Sequence, residues 1–173
     1  VLVMPFVVRF ANDVVPASVH EQVGYGTLTI RGEIWTAFAD LVPERLLLGY
    51  GLEASNIIAK SQTAASLPEE VRNLLAFAHP HNAPLQVWFE LGFVGAILVA
   101  ALLFFALRAM ERLPVARLSA ATATAAAVFT ISSVSHGAWQ SWWFCLVGLV
   151  AATYMMLPTG PEDEKKLRPT NSS

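Results

Sequence analysis

Long apolar segments dominate the second half of the chain. Three of them, residues 85–107, 115–134 and 141–157, each approach the roughly 20 residues that a helix needs to cross a bilayer. A further apolar stretch opens the chain but is too short to cross by itself. We therefore predict an all-α fragment of a longer, polytopic membrane protein. It should have three full transmembrane helices, preceded by the end of a truncated one at residues 1–10.

Residues 11–84 mix short apolar and polar stretches and are expected to form a large helical loop. One helix is predicted from apolar residues at helical spacing, which are Ile30, Ile34, Phe38, Leu41 and Val42. Residues 48–51, Leu-Gly-Tyr-Gly, favour a turn because both glycines can take positive φ. A second helix is predicted from Ser66, which has capping-box spacing to Glu69 with Pro68 in the first turn. Its apolar stripe consists of Val71, Leu74, Leu75 and Ala78.

Two histidines lie where this loop meets the first long segment, in the run His79-Pro80-His81-Asn82. The second loop helix should end by His79, because Pro80 disfavours a helical residue before it. Asn82 is a good N-cap for the next helix, and Pro84 is tolerated in the first turn of that helix. We therefore expect both histidines on a short, rigid hinge between two helices.

The composition agrees with a membrane protein. Hydrophobic residues make up 55% of the chain and charged residues 14%, and the mean hydropathy is +0.52. The net charge of −2 gives no reason to expect a nucleic-acid partner. The single cysteine, Cys145, lies inside an apolar segment, so neither a disulfide framework nor a cysteine-based metal site is predicted.

Basic residues indicate the orientation in the bilayer. They are Arg108, Arg112 and Arg117 in and after the connector 108–114, and Lys165, Lys166 and Arg168 in the tail 158–173. Both regions lie on one side if the three spans alternate, and the positive-inside rule makes that side cytoplasmic. The loop 11–84 and the short turn 135–140 then face outward. The polar tail is expected to be disordered in the cytoplasm.

The hinge is the first candidate for chemistry. A histidine beside a helix N-terminus lies next to unpaired backbone N–H groups and the positive end of the helix dipole, where anions bind readily. A neutral imidazole there can take a proton from a hydroxyl while a phosphate is held nearby. Two other interpretations stay open. In the first, His79 and His81 belong to a polar turn that has no chemical role. In the second, they bind a metal ion, although no further ligand at metal-site spacing stands out.

Two charged residues are further candidates. Arg31 can grip phosphate oxygens through its guanidinium fork, or it can be a surface residue paired with Glu33 or Asp40. Glu90 is costly in lipid, so we expect it to face the protein interior, with Gln86 one turn earlier on the same face. The alternative for Glu90 is that it reaches out to the nearby membrane interface.

Weaker candidates lie elsewhere in the regions predicted to face outward. Arg45 and Arg72 have the same chemistry as Arg31 but no supporting pattern. His136 and Trp139 fall in the turn 135–140 and are candidates for lining a carbohydrate site, because aromatic faces stack on sugar rings. Anchoring at the membrane interface is the alternative for this pair.

The hinge and the helix after it resemble the bacterial O-antigen ligases. His81-Asn82, nine residues, Gly92, two residues and Gly95 match the pattern His-[Asn/Ser/Gln]-x9-Gly-x2-[Gly/Thr/Tyr] of that family. The related O-antigen polymerases and protein O-oligosaccharyltransferases share the same C-terminal domain. The run from Arg31 to Trp35 and the turn at 48–51 also look like that domain. The resemblance covers roughly residues 31–95 and the helices after them.

The resemblance implies an integral-membrane, metal-independent glycosyltransferase of lipopolysaccharide biosynthesis, in the inner membrane of a bacterium with the loop 11–84 in the periplasm. Its donor would be a glycan on undecaprenyl pyrophosphate. Its acceptor would be a sugar hydroxyl on lipid A-core or on another lipid-linked glycan. His81 matches the family's essential histidine and Arg31 its pyrophosphate-binding arginine. His79 has no firm counterpart in the family; from their positions in this sequence, His79, Asn82 and Glu90 are expected to bind substrate. No cofactor is expected.

Two alternatives to a ligase remain. An O-antigen or exopolysaccharide polymerase shares the signature and differs in its acceptor. A non-enzymatic transporter or assembly partner would use the histidines and Glu90 as a proton relay or to stabilise the fold. A transporter should show broken helices and polar groups near the membrane midplane, and segments 115–134 and 141–157 lack both apart from Thr and Ser, which favours the enzyme.

Overall fold

The computed structural model describes residues 1–14 and 28–156 of the 173-residue chain. All regular structure in these residues is helical, which confirms the predicted all-α class. The α-helices are α1 (Met4–Val14), α2 (Leu28–Leu41), α3 (Gln62–Ala65), α4 (Glu69–Leu75), α5 (Ala83–Met110), α6 (Val115–Val134) and α7 (Ser141–Met156). Short 3-10 helices lie between α2 and α3 at Val42–Arg45, Ala54–Asn56 and Ile58–Lys60. The predicted tail 158–173 lies outside the described residues, as do residues 15–27 of the loop.

Among the described helices, α5 alone is both long and apolar enough to cross a membrane. Helix α6 has sufficient length, but its serines, threonines and Arg117 lower its hydropathy. Helix α7 is apolar but contains 16 residues, fewer than the roughly 20 that a crossing needs. The structure therefore shows one candidate span where the sequence predicts three full ones. That α6 and α7 also cross, and that α1 is the end of a truncated span, stay predictions.

Helix α2 lies at the centre of the packed region and contacts α1, α4 and α5. The predicted stripe of α2 is confirmed over most of its length, because Ile34, Phe38 and Leu41 are buried. Phe38 meets Phe89 of α5 edge-on, with ring centroids 4.9 Å apart. Ile30, at the start of the stripe, is exposed. Burial of the α2 stripe attaches the outer loop firmly to the first turns of α5.

The second loop helix differs from its prediction at both ends. It begins at Glu69 with Pro68 as N-cap and without a side-chain cap, so the predicted capping box is wrong. The reason is that Ser66 already serves as the C-cap of α3, and its hydroxyl donates to the carbonyl oxygen of Thr63 at 2.8 Å. The helix ends at Leu75, which agrees with the expected stop before Pro80.

The start of α5 is as predicted. The Asn82 side-chain oxygen accepts from the backbone N–H of Leu85 at 2.9 Å, and Pro84 lies in the first turn. The backbone N–H of Gln86 reaches the Asn82 carbonyl oxygen, also at 2.9 Å. This cap fixes the direction in which the chain leaves the histidine hinge.

Helix α5 is not the continuous span that the sequence predicts, because it is broken at Gly92. Gly92 has φ 64° and ψ −159°, a conformation outside the helical region that is essentially restricted to glycine. Before the break, residues 84–90 are all buried in the protein. After the break, many side chains from Phe93 onward are exposed. The break thus divides α5 into two parts. Residues 83–91 form a short half-helix that is buried in the protein, called here the inner half-helix, and residues 93–110 form a longer apolar one, the outer half-helix.

The chain around Gly49 fills the break. Backbone N–H groups of Tyr50 and Gly51 donate to the carbonyl oxygens of Phe89 and Glu90, both at 2.9 Å. On the other side of the break, the N–H groups of Phe93 and Val94 donate to carbonyl oxygens of Leu46 at 2.8 Å and Leu47 at 3.2 Å. The predicted turn at 48–51 is confirmed, with positive φ at Gly49 and Gly51. It replaces the helical hydrogen bonds that the break removes.

Candidate active site

The hinge between α4 and α5 brings the two histidine rings together. Their centroids are 4.2 Å apart. Ala78 and His81 both have positive φ, 70° and 52°, so the chain turns sharply on either side of His79-Pro80. A left-handed conformation at a non-glycine residue is uncommon and concentrates at functional sites.

His79 is held by the backbone of its neighbour. Its Nδ1 accepts from the His81 backbone N–H at 3.2 Å, so a neutral His79 carries its proton on Nε2. Burial lowers the pKa of His79 below the usual 6.5, and nearby His81 and His136 lower it further, against an opposing effect of Glu90. His79 is therefore neutral at neutral pH.

His81 is neutral for similar reasons. Burial is the main cause that lowers its pKa below 6.5, and Arg31 and His136 act in the same direction. The nearby Ser135 backbone opposes this shift, because it favours the protonated form of the ring. A neutral imidazole has one unprotonated ring nitrogen that can accept a proton, which is what a general base requires.

Arg31 extends from α2 to the end of α6. Its Nη1 donates to the carbonyl oxygen of Val134 at 2.9 Å. The alternative of a pairing with Asp40 is wrong, because Asp40 binds Arg9 instead, at 2.7 Å. Among the side chains that the structure describes, which do not include Asp13, no carboxylate lies within salt-bridge distance of Arg31. One guanidinium donor is thus used for positioning, and the charge is not neutralised by a described acidic group.

The outer turn 135–140 closes against the hinge. A Cβ atom added at the buried Gly137 would lie 3.4 Å from Cγ and Nδ1 of His79 and 3.2 Å from Gln86 Oε1. A Cβ at this position would require Gln86 Oε1 to move by a few tenths of an ångström, so the turn packs closely against the hinge. The next residue, Ala138, donates its backbone N–H to Gln86 Oε1 at 2.8 Å. The ends of α5 and α6 that meet here are therefore on the same side of the molecule, as the predicted alternation requires.

His136 joins the two hinge histidines as a third imidazole. Its ring lies edge-to-face with Trp143 at 4.5 Å and with Trp142 at 4.9 Å between centroids. Its proximity contributes to the lowered pKa values of both His79 and His81. The sequence indicated His136 only as a possible sugar contact or interface anchor, because its position beside the hinge depends on tertiary packing.

Glu90 is the centre of a buried hydrogen-bond network beneath the hinge. Its carboxylate is fully buried and accepts five hydrogen bonds. Three come from the loop, from the Glu53 N–H at 2.7 Å and from the N–H and Oγ of Ser55 at 3.3 and 2.5 Å. The others come from Gln86 Nε2 at 2.9 Å and Trp139 Nε1 at 2.5 Å. The expectation that Glu90 faces the interior beside Gln86 is confirmed, and the alternative of a reach to the interface is wrong.

This network connects three segments that are distant in sequence. Glu90 of α5 accepts hydrogen bonds from Glu53 and Ser55 of the loop. On the side of the outer turn, Gln86 accepts from Ala138 and Glu90 accepts from Trp139. A buried carboxylate with all its acceptors occupied by protein donors positions its neighbours. Substrate binding by Glu90 stays a prediction, and the observed contacts give the residue a positioning role.

Asn82 also has a polar atom directed into the buried region. The side chain is fully buried, and its Nδ2 has no hydrogen-bond partner among the described residues. The N–H groups of Leu85 and Gln86 are already bonded, and Pro84 has none. The unpaired amide of Asn82 is therefore a donor that remains near the start of α5.

The predicted site residues divide into two groups. Arg31, His79 and His81 converge at the outer turn, and Asn82 caps the helix beside them. Glu90 lies deeper, in the network described above. Arg45 lies elsewhere, 6.0 Å from the centre of the Tyr50 ring. The described residues contain no group of three or more His, Cys, Asp or Glu side chains placed to hold a metal ion.

Comparison with known proteins places the chain in a family. The family model described as O-antigen ligase matches residues 1–100, more than half of the chain. A Rickettsia prowazekii protein named "Putative polysaccharide ligase" is 29% identical over 130 residues, which are 75% of this chain and 32% of that protein. A Rickettsia conorii protein of the same name is 33% identical over 112 residues, 64% of this chain and 27% of that protein. The chain thus spans about a third of the length of these relatives, and no solved structure matches it.

Proposed function

The chain belongs to the O-antigen ligase family, and on that premise we propose that it is part of a membrane glycosyltransferase. The enzyme moves a glycan from undecaprenyl pyrophosphate to a sugar hydroxyl on lipid A-core or on another lipid-linked glycan. The observation that carries this proposal is the convergence of Arg31, His79 and His81 at the outer turn. The two Rickettsia relatives described above are each named "Putative polysaccharide ligase", which supports a ligase rather than a polymerase.

In this reaction His81 is the general base. The acceptor hydroxyl gives its proton to the unprotonated ring nitrogen of the neutral His81. The hydroxyl oxygen then forms a bond to the anomeric carbon of the donor, while the bond from that carbon to the phosphate oxygen breaks. Undecaprenyl pyrophosphate leaves with the electron pair.

Arg31 stabilises the negative charge that develops on the leaving pyrophosphate. Its bond to Val134 fixes the guanidinium, and the remaining N–H groups are donors for phosphate oxygens. The neutral His79 donates from Nε2, and Asn82 donates from the unpaired Nδ2. The positive end of the α5 dipole acts in the same direction. Together these groups supply the charge and the donors for the pyrophosphate without a metal ion.

The distribution of polar groups in α5 argues against a transport pathway. Glu90 and Gln86 lie in the inner half-helix and are bonded to protein groups. Residues 93–107 of the outer half-helix carry no polar side chain. The break at Gly92 is filled by backbone from residues 46–51. We therefore favour the enzyme and propose a multi-pass protein of the bacterial inner membrane whose hinge faces the periplasm.

Arg31→Gln tests the pyrophosphate role. Glutamine keeps a donor for Val134 but removes the positive charge. We expect the KM for the lipid-linked donor to rise by about 10- to 100-fold, the amount expected for a lost hydrogen bond between charged groups. Donor titrations of the full-length enzyme in proteoliposomes measure this.

The matched control for Arg31→Gln is Lys60→Gln, which removes a positive charge from an exposed position outside the site. That variant should keep the wild-type KM. An Arg31→Gln enzyme with unchanged donor KM and unchanged turnover would show that Arg31 does not bind the pyrophosphate.

The pH profile tests the protonation state of the base. Because burial lowers the pKa of His81 below 6.5, the acid limb of kcat/KM should lie below pH 6.5 and activity should be full at neutral pH. Arg31 also lowers this pKa, so the limb should move to higher pH in Arg31→Gln. Because His79 and His81 interact, the apparent pKa that this acid limb reports is a property of the two histidines together. A profile with no acid limb, or with one above pH 6.5 in the wild type, would contradict the assignment.

A further inference from the structure

We propose that the leucine turn, residues 46–52, inserts its side chains into the acyl chains of one membrane leaflet, the one that lies on the same side of the bilayer as the hinge. Four leucines of this turn are exposed, with exposed fractions of 47% for Leu46, 65% for Leu47, 73% for Leu48 and 64% for Leu52. Aliphatic side chains with this much exposed surface are less stable in contact with water than in an apolar environment. The proposal does not depend on the reaction at the hinge.

Several backbone groups of the leucine turn already have partners within the protein, as a lipid environment requires of polar backbone groups. Carbonyl oxygens of Leu46 and Leu47 accept from Phe93 and Val94. The N–H of Gly49 donates to the Arg45 carbonyl oxygen at 2.8 Å. The next two N–H groups bond α5 as described above. These groups therefore stay paired when the turn enters acyl chains, where water cannot satisfy them.

The exposed leucines are continuous with the apolar surface of α5. Leu46 and Leu47 bond Phe93 and Val94, whose side chains are 43% and 45% exposed. The same surface continues along the outer half-helix, where Leu98 is 64% exposed. This half-helix, residues 93–110, is about 27 Å long at 1.5 Å per residue, close to the roughly 30 Å of a hydrocarbon core. If it spans the core, its start at Phe93 and the leucine turn beside it lie at the boundary of the hydrocarbon.

The chemistry of the exposed turn fits acyl chains better than a protein partner. The exposed side chains of the turn are aliphatic, whereas protein interfaces are enriched in aromatic residues, methionine and arginine, and leucine is rare among the residues that dominate binding. Charged side chains flank the turn, with Glu44 and Arg45 before it and Glu53 after it. An apolar tip between charged flanks is the pattern of an interfacial anchor.

Nitroxide labels on the full-length protein in lipid nanodiscs test the proposal. Labels are placed one at a time on Leu47→Cys, Leu48→Cys and Leu52→Cys in a cysteine-free background that includes Cys145→Ser. The control is Gln62→Cys, exposed in α3 on the same loop. Power saturation then compares the access of oxygen, which concentrates in acyl chains, with that of a water-soluble nickel chelate. We expect oxygen to dominate at the three leucine positions and nickel to dominate at position 62.

Two results would overturn the proposal. Nickel access at positions 47, 48 and 52 equal to that at position 62 would place the turn in water. Low access of both probes at the leucine positions would mean that a protein segment or a second copy of the chain covers them. Because the labels report location and not turnover, either failure leaves the proposed glycan transfer at the hinge unaffected.

Discussion

Replacing His81 with asparagine should lower glycan transfer by about 10²- to 10⁴-fold, the usual contribution of a general base. Asparagine is chosen because His81 has φ 52°, and asparagine tolerates the left-handed region better than most residues, so the backbone can keep its conformation. Its amide retains hydrogen-bonding capacity but cannot accept a proton at neutral pH. The loss should therefore appear in kcat, and the free energy of unfolding should change little. Initial rates at saturating donor and acceptor, together with thermal unfolding, measure both.

The comparison variant is His79→Gln. In the proposed mechanism His79 binds and supports, so its loss should reduce the rate less than the loss of His81. Equal losses in the two variants would indicate that the pair acts as one unit. Wild-type kcat in His81→Asn would show that His81 is not the base.

Replacing Gly92 with alanine should prevent stable folding. The residue has a backbone conformation that costs a non-glycine residue about 1–3 kcal/mol. An added Cβ would also lie 2.5 Å from the Leu47 carbonyl carbon and 2.6 Å from the Gly49 nitrogen, both of them backbone atoms that cannot rotate away. The two effects together place this variant among the exceptional substitutions that cost more than about 4 kcal/mol. Yield of folded protein in membranes and thermal unfolding in detergent measure the loss.

Gly148→Ala is the matched control for Gly92→Ala. Gly148 lies in α7, and an added Cβ would meet no heavy atom within 4 Å. Alanine is favoured over glycine inside a helix by about 0.5–1 kcal/mol, so this variant should be as stable as the wild type or slightly more stable. If Gly92→Ala folds as well as Gly148→Ala, the break in α5 is not required by the fold.

Features that depend on neighbouring residues could be predicted from the sequence. The Asn82 cap and the stop before Pro80 follow from local chemistry, and both are present. The apolar stripe of α2 follows from helical spacing. By contrast, the capping box at Ser66 is wrong because a competing role in α3 takes the serine first. Local patterns predict where helices form but not which of two adjacent helices uses a shared residue.

Features that depend on distant segments could not be predicted. The pattern with Gly92 and Gly95 pointed to a family but not to a break, because the break needs carbonyl and N–H partners from residues 46–51. The sequence placed Glu90 in the interior but could not identify its partners Ser55 and Trp139. The sequence shows Arg31 only as an isolated arginine. Its position beside the hinge depends on a hydrogen bond to Val134, which is distant in sequence.

Reconstitution of the full-length protein tests the central claim most directly. Proteoliposomes receive undecaprenyl pyrophosphate with a radiolabelled glycan, and lipid A-core as acceptor. The wild type should transfer the label to the acceptor and release undecaprenyl pyrophosphate in equal amount, and His81→Asn should do so at least 10²-fold more slowly. Transfer at the wild-type rate by a folded His81→Asn enzyme, or no transfer to either a lipid A-core or a lipid-linked glycan acceptor by the wild type, would contradict the account.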